Sequence, residues 1–130
     1  MLVLGASGML GNAVLRLFCQ SPGFSVVGSA RSAKAVNLLP TEYRRKVISG
    51  VDVEDTAELE RLFSRTRPAV VINCVGIVKQ LPEANDPLVA ISINSMLPHR
   101  LRRLCKQFGS RLVQISTDCV FAGTRGGYRE

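Results

Sequence analysis

The segment Gly5-Ala6-Ser7-Gly8-Met9-Leu10-Gly11 constrains the fold more than any other feature of the chain. It joins an apolar run, residues 1–4, to a stretch with helical periodicity. Glycines at such a turn leave backbone N–H groups and the positive end of the helix dipole open to a diphosphate. The spacing G-x-x-G-x-x-G is one residue wider at its start than the general dinucleotide fingerprint, and a tight turn whose glycines serve only packing is the alternative. The predicted cofactor contacts of this turn are Gly5, Ser7, Gly8, Met9, Leu10 and Gly11.

Strand-like apolar runs alternate with segments of helical period along the rest of the chain. This alternation is typical of a parallel sheet covered on both faces. We predict an α/β fold with a doubly wound parallel sheet of the Rossmann type, one domain over residues 1–130, with its ligand at the carboxyl ends of the strands. The five predicted strands are residues 1–4, 25–27, 47–48, 69–72 and 112–115.

Three longer helices are predicted between these strands. Asp55 is expected to cap the second, with Glu58 closing a capping box, and Asp86 to cap the third. Because Pro98 has no N–H to donate to the carbonyl of Asn94, we expect a kink in the third helix near Asn94. The predicted buried stripes are Leu10, Ala13, Val14, Leu17 and Phe18, then Leu59, Leu62 and Phe63, then Leu97, Leu101, Leu104 and Phe108.

The formal net charge of +7 can attract phosphate on a nucleic acid, a membrane surface or a small nucleotide, and charge alone does not choose among them. No surface aromatics interleave with the basic residues, so a solvated helix face is the preferred interpretation, with no nucleic-acid partner. Residues 1–4 have the character of a first strand, not of a targeting segment, and no membrane partner is expected. The sequence predicts no metal site and no disulfide, since its cysteines, Cys19, Cys74, Cys105 and Cys119, are far apart, as in a reduced cytoplasmic protein.

Three segments after predicted strands are candidates for cofactor contact. Arg31-Ser32 lies about twenty residues beyond the glycine turn, where NAD-binding folds usually place an acid. A guanidinium there can hold a 2′-phosphate, so NADP is favoured over NAD, with an exposed loop arginine as the alternative. Asp52-Val53 can accept a hydrogen bond from an adenine amino group or can be an ordinary loop aspartate. Cys74, Val75 and Gly76 are small enough for close approach to a flat ligand, and Cys74 is interpreted as packing, not as a nucleophile.

The order of these motifs resembles that of extended short-chain dehydrogenases/reductases. The resemblance rests on Gly5 to Gly11, Asp52-Val53, Asn73 to Gly76, Asn94 and Ser116-Thr117-Asp118-Cys119-Val120-Phe121. The last stretch, with Gly123 and Tyr128-Arg129-Glu130 after it, is similar to dTDP-4-dehydrorhamnose reductases and related nucleotide-sugar reductases of polysaccharide biosynthesis.

The resemblance implies reduction of a keto sugar by hydride transfer from a nicotinamide. It assigns the carbonyl-holding hydroxyl to Thr117, a cofactor contact to Ser116 and a proton-relay position to Asn94. For Thr117, a residue that only caps the fifth strand is the alternative. The family also uses a Tyr-x-x-x-Lys, which is not found after Thr117, and Tyr43-Arg44-Arg45-Lys46 has the wrong spacing. We therefore expect a fragment of a longer NADP-dependent reductase with a nucleotide-sugar substrate, inactive alone and able to form a homo-oligomer. The alternative is a non-catalytic NADP-binding regulatory module that acts through a partner protein.

Overall fold

Five parallel strands form one sheet with the order β3-β2-β1-β4-β5. The structure, a computed structural model, describes residues 1–78, 85–117, 124 and 126–127. The motif residues Asp118 to Phe121, Gly123 and Tyr128 to Glu130 lie outside these residues. The predicted α/β fold with a doubly wound parallel sheet is confirmed. The strands are β1 Leu2–Leu4, β2 Val27–Ser29, β3 Val47–Ile48, β4 Val70–Asn73 and β5 Arg111–Gln114.

The strand β2 begins and ends two residues later than predicted. Its partners in β1 are fixed by the pairs Leu2 with Val27 and Val3 with Gly28. Gly28 and Ser29 also pair with β3, although neither residue is apolar. The prediction followed the hydrophobic run, whereas the strand is defined by backbone hydrogen bonds that a glycine or a serine makes equally well.

Helices cover both faces of the sheet, and the residues of β1 alternate between them. Leu2 and Leu4 pack into the core on the α4 and α6 side, whereas Val3 packs with Leu15 of α1 on the other side. No helix among the described residues is long and apolar enough to cross a membrane. The helical elements are α1 Met9–Gln20, α2 Ala33–Val36, α3 Thr41–Arg44, α4 Thr56–Thr66, α5 Pro87–Ala90, a π-helical segment Ile91–Met96, and α6 Leu97–Phe108.

The buried face predicted for α1 is wrong in part, since Val14 and Phe18 pack against the core but Leu10 and Leu17 do not. The structure buries Gly11 and Leu15, whereas Leu10 is 45% and Leu17 is 60% exposed. The cause lies in the glycine turn, because a Cβ on Gly11 would overlap the carbonyl oxygen of Gly5. The helix is rotated so that its one residue without a side chain faces this carbonyl, and the residue one turn later follows it into the core. Of the other predicted stripe residues, Ala13 is exposed, and Val14 and Phe18 are half-buried.

The N-terminus of α4 is capped by Asp55, but the predicted capping box does not form. Asp55 Oδ1 accepts hydrogen bonds from the N–H groups of Ala57 and Glu58, at 2.8 and 3.1 Å. The carboxylate of Glu58 accepts from the N–H of Asp52 at 2.6 Å instead of returning to Asp55. The N–H of Asp55 already donates to the carbonyl of Asp52, so Glu58 is free to fix the preceding loop. The predicted stripe of α4 is confirmed, with Leu59, Leu62 and Phe63 all buried.

The third predicted helix is interrupted near Asn94, as expected. Asp86 caps α5 by accepting from the N–H of Leu88 at 2.9 Å. The π-helical segment then ends where the N–H of Leu97 donates to the carbonyl of Ser92, five residues earlier. Pro98 follows directly, so the missing proline N–H coincides with the change from π- to α-helical hydrogen bonding. In α6, Leu97, Leu101 and Leu104 are buried as predicted, Cys105 is also buried, and Phe108 is half-buried.

Candidate functional site

A cleft of about 230 Å³ lies at the carboxyl edge of the sheet. It is bounded by the segments that follow β1, β2, β3 and β4 and by the α5 and π-helical region. Ligands of doubly wound sheets bind at this edge, where the chain turns to opposite faces. The lining residues are Gly5, Ser7, Ser29, Ala30, Arg31, Val51, Asp52, Val53, Glu54, Val75, Gly76, Ile77, Val89 and Ile93.

The glycine turn follows β1, which lies between β2 and β4 in the sheet, and Gly5 and Ser7 of the turn line the cleft. Gly5 has a φ of +74°, and its carbonyl accepts from the N–H of Gly8 at 3.0 Å, which closes the turn. Gly8 is the N-cap of α1 and offers no side chain to the first helical turn. The first N–H groups of α1, from Met9 onward, therefore have no side-chain cap and can bind an anion.

The three glycines of the turn differ in how closely their surroundings pack against them. Gly11 packs against the backbone of Gly5, as described above. Gly5 needs its left-handed backbone, and a Cβ there would also lie 2.9 Å from Val75 Cγ2. Gly8 has an ordinary φ of −73°, and a Cβ on it would meet only the Gly5 carbonyl oxygen, at 3.4 Å. The packing of the protein therefore explains Gly5 and Gly11 but not Gly8.

Arg31 and Ser32 follow β2, the strand next to β1 in the sheet. Arg31 lines the cleft, is exposed, and forms no ion pair with another described residue. The Ser32 hydroxyl caps α2 by accepting from the N–H of Ala35 at 3.2 Å. A hydroxyl that accepts can still donate its own proton, so Ser32 remains able to bind a phosphate oxygen.

The loop after β3 is held by its own carboxylates. Asp52 Oδ1 accepts from the N–H of Glu54 at 2.9 Å, and the N–H of Asp52 donates to Glu58. Asp52, Val53 and Glu54 all line the cleft. The loop therefore presents two acids and one apolar side chain to any bound group.

Two asparagines fix the segment after β4. The buried Asn73 donates from Nδ2 to Gln114 Oε1 at 2.9 Å and accepts at Oδ1 from the N–H of Val75 at 3.1 Å. Asn94 accepts at Oδ1 from the N–H of Ile77 and donates from Nδ2 to the Ile77 carbonyl, both at 2.9 Å. The π-helical segment thus connects to the wall of the cleft through both atoms of one amide.

Cys74 lies in this segment but does not line the cleft. The thiol is half-buried against the α1 side of the core, and burial raises its pKa. A raised pKa disfavours the thiolate, which is the nucleophilic form. These properties support the packing interpretation of Cys74.

The predicted site residues separate into two groups. The structure brings Gly5, Ser7, Arg31, Asp52, Val53, Val75 and Gly76 together around the cleft. It does not bring the other predicted residues to the cleft lining. These are Gly8, Met9, Leu10 and Gly11 in the turn, Ser32, Cys74, Asn94, and the exposed Ser116 and Thr117 after β5.

The sequence prediction missed seven lining residues. Ser29, Ala30 and Val51 lie at or just after the carboxyl ends of β2 and β3. The rule that ligands bind at the carboxyl edge of the sheet could have identified them. Val89 and Ile93 carried no such signal, because their place depends on how the π-helical segment packs. The remaining two missed residues are Glu54 and Ile77.

The model of the family described as RmlD substrate binding domain matches residues 1–130. The dTDP-4-dehydrorhamnose reductase of Streptomyces griseus is 33% identical over 130 residues, which are 99% of this chain and 37% of that protein. Methionine adenosyltransferase 2 subunit beta of Bos taurus is 28% identical over 129 residues, 99% of this chain and 35% of that protein. The chain thus spans little more than a third of the length of these relatives.

Solved structures share the fold. A hypothetical dTDP-4-dehydrorhamnose reductase from Sulfolobus tokodaii superposes with a TM-score of 0.77 at 28% identity, over 99% of this chain and 43% of that one. A dTDP-4-dehydrorhamnose reductase from Bacillus anthracis, in complex with NADP, has a TM-score of 0.70 at 20% identity, over 96% of this chain and 38% of that one. The second likeness concerns the fold alone.

Proposed function

Because the chain belongs to the RmlD substrate binding domain family, we propose that it is the cofactor-binding part of an NADP-dependent reductase acting on a keto group of a nucleotide-linked sugar. The observation that carries the proposal is Gly8. It lies at the uncapped start of α1, and no close contact among the described residues requires a glycine there. A diphosphate that approaches the backbone closely supplies the missing reason.

The lining of the cleft fits the rest of a dinucleotide. Arg31 lines the cleft and can pair with a 2′-phosphate, and the neighbouring Ser32 can donate a hydrogen bond to it. Asp52 and Val53 suit an adenine, since one offers a carboxylate to an amino group and the other an apolar side chain. The small residues Val75 and Gly76 leave room beside the turn for a second nucleotide half. The Bacillus anthracis structure of the same fold contains NADP, in agreement with a nicotinamide cofactor.

A bound nicotinamide would supply the hydride of the proposed reduction. The task of Thr117 is to donate a hydrogen bond to the oxygen of the keto group, which becomes negatively charged as the hydride arrives. Ser116 precedes it as the neighbouring cofactor contact. Asn94 contributes its main-chain carbonyl to the proton relay, because Pro98 has no N–H to donate to that carbonyl. The side chain of Asn94 forms hydrogen bonds with the backbone of Ile77. No Tyr-x-x-x-Lys follows Thr117 in this sequence, so we assign cofactor binding and one hydroxyl to this chain, and not the proton donor.

Titration with NADPH and NADH tests the cofactor assignment. We expect NADPH to bind about 10- to 100-fold more tightly, because one charge-assisted contact to the 2′-phosphate contributes about 1.5–3 kcal/mol. In Arg31→Glu this preference should disappear, whereas the nearby Lys34→Gln serves as a control for the loss of an exposed charge. Equal affinity of the parent chain for both cofactors would refute the assignment to NADP and leave the fold untouched.

The regulatory alternative shares the same cofactor site. The relative named methionine adenosyltransferase 2 subunit beta matches 99% of this chain, but at 28% identity it matches less well than the Streptomyces griseus reductase at 33%. Cofactor titration cannot separate the two functions, because both require the nucleotide to bind. Sugar turnover separates them, because only the reductase function requires it.

A further inference from the structure

The excess positive charge of the chain lies on the edge of the sheet opposite the cleft. We call this edge the amino-terminal rim and define it as residues 17–26, 43–47, 63–70 and 105–111. In parallel βα units the carboxyl ends of helices and the amino ends of strands meet at this edge. The rim has seven of the 17 Lys and Arg residues and no Asp or Glu, and the other ten are matched by the ten acids elsewhere. The rim cations are Arg44, Arg45, Lys46, Arg65, Arg67, Lys106 and Arg111.

Six of these seven cations form no side-chain hydrogen bond or ion pair with a described residue. The guanidinium of Arg44 donates to the carbonyls of Leu39 and Asn37, at 2.9 and 2.8 Å, and so holds the α2–α3 region. The other six are exposed, and the ion pair seen among the described residues, Arg61 with Glu58, is not on the rim. Helix dipoles favour cations in a last turn, but this accounts only for the cations within α3, α4 and α6.

Two large apolar side chains are exposed on the same rim. Leu17 is 60% and Phe24 is 51% exposed, although both belong to residue types that usually contribute to a core. Phe24 packs edge-on against Phe18, with ring centroids 4.9 Å apart, so its position is fixed by a partner inside the chain. Cations and exposed apolar side chains on one surface are the two features by which peripheral proteins bind membranes.

We propose that the amino-terminal rim binds an anionic lipid surface, with Phe24 and Leu17 entering the interface and the exposed cations among the headgroups. The cations lie on three of the four segments of the rim. A single nucleic-acid strand is usually bound in a groove with several aromatic platforms, and Phe24 is the one aromatic side chain of the described rim that is more than half exposed. A lipid plane requires only that the charges lie near one surface. The cleft, at the opposite edge, remains open to water-soluble ligands in this orientation.

This inference departs from the expectation of no membrane partner and is independent of the proposed reduction. That expectation rested on residues 1–4, which do not have the character of a targeting segment, and the total charge by itself does not choose a partner. The distribution of the charge was accessible only once the topology had placed four distant segments on one rim.

Vesicle flotation with the 130-residue chain tests the proposal. We expect binding to vesicles containing about a third phosphatidylglycerol and none to phosphatidylcholine alone, because the attraction depends on anionic headgroups. Lys46→Gln with Lys106→Gln removes two rim charges and should weaken binding about 30-fold, at about 1 kcal/mol for each cation. The matched control, Lys34→Gln with Arg102→Gln, removes the same charge away from the rim and should bind almost as well as the parent.

Phe24→Ser tests the apolar part, and it should weaken binding to the anionic vesicles about tenfold without changing its dependence on salt. Circular dichroism of each variant confirms that it is folded. The proposal is overturned if the parent does not bind anionic vesicles, if it binds both kinds of vesicle equally, or if the rim and control variants bind alike. A single-stranded oligonucleotide bound through the rim, with no vesicle binding, would also overturn it and identify a nucleic acid as the partner.

Discussion

Gly8 and Gly11 lie three residues apart in one turn, and at the scale of single residues they make different demands. A side chain on Gly11 would overlap the Gly5 carbonyl, whereas one on Gly8 would make an ordinary contact with it. Gly8→Val is therefore expected to fold, with a loss of about 1 kcal/mol from the weaker N-cap, and to lose NADPH binding. Circular dichroism and thermal unfolding measure the fold, and cofactor titration measures the site.

Gly11→Ala is the matched comparison for this prediction. Its Cβ must displace backbone, so we expect destabilisation by about 1–3 kcal/mol, with cofactor binding lost only in proportion to the unfolded fraction. A Gly8→Val chain that is folded and still binds NADPH would show that Gly8, too, serves only the turn.

Between the residue and the element, the amide of Asn94 connects two elements. It bonds both the N–H and the carbonyl of Ile77, so Asn94→Ala removes two hydrogen bonds between the π-helical segment and the cleft wall. We expect a loss of about 1–2 kcal/mol, since each bond contributes about 0.5–1.5 kcal/mol and water can replace part of it. Hydrogen exchange of the Ile77 amide should accelerate in this variant.

Ser95→Ala is the control for the Asn94 variant. Ser95 is exposed on the same π-helical segment, so its truncation should leave both the stability and the Ile77 exchange rate unchanged. Unchanged exchange at Ile77 in Asn94→Ala would contradict the role of the amide.

At the scale of elements, sequence periodicity predicted which segments are helices and strands but not how each one is oriented. The stripe expected for α1 failed because the close contact of Gly11 with Gly5 determines the rotation of the helix, and hydrophobic spacing contains no information about that contact. The capping box predicted at Asp55 did not form because the Glu58 carboxylate accepts from the N–H of Asp52 in the preceding loop. The stripes of α4 and α6 succeeded because apolar packing alone orients those helices.

The candidate site likewise contains some features that were predictable from the sequence and others that were not. Gly5, Arg31, Asp52 and Gly76 were predictable, because a chain that winds a parallel sheet brings the residues after its strands to one edge. The two hydrogen bonds from Asn94 to Ile77 were not predictable, although Pro98, four residues after Asn94, did indicate an irregular helix. A missing N–H predicts where a helix changes, but the new partner of a side chain depends on the tertiary packing.

At the scale of the whole molecule, the candidate cleft lies at the carboxyl edge of the sheet and the seven rim cations lie at the opposite edge. We expect no turnover of a nucleotide-linked keto sugar by these 130 residues with NADPH. General acid catalysis contributes about 10²–10⁴-fold, and the sequence has no Tyr-x-x-x-Lys after Thr117 to provide it. The measurement is the rate of NADPH oxidation by the 130-residue chain in the presence of substrate, at a chain concentration high enough to bind all of the NADPH.

A chimera separates a reductase from a regulatory module. Joined to the part of the Streptomyces griseus reductase that lies beyond the matched region, this chain should support turnover if Thr117 provides the hydroxyl that the proposal assigns to it. Thr117→Ala in the chimera should then lower kcat about 10²–10³-fold with little change in KM for NADPH, because the hydroxyl acts on charge that develops in the transition state. Ser95→Ala in the same chimera is the matched loss of an exposed hydroxyl and should keep full activity. Multiple turnovers by the 130 residues alone would refute the assignment of the proton donor to other residues, and a folded, NADPH-binding chimera without activity would favour the regulatory function.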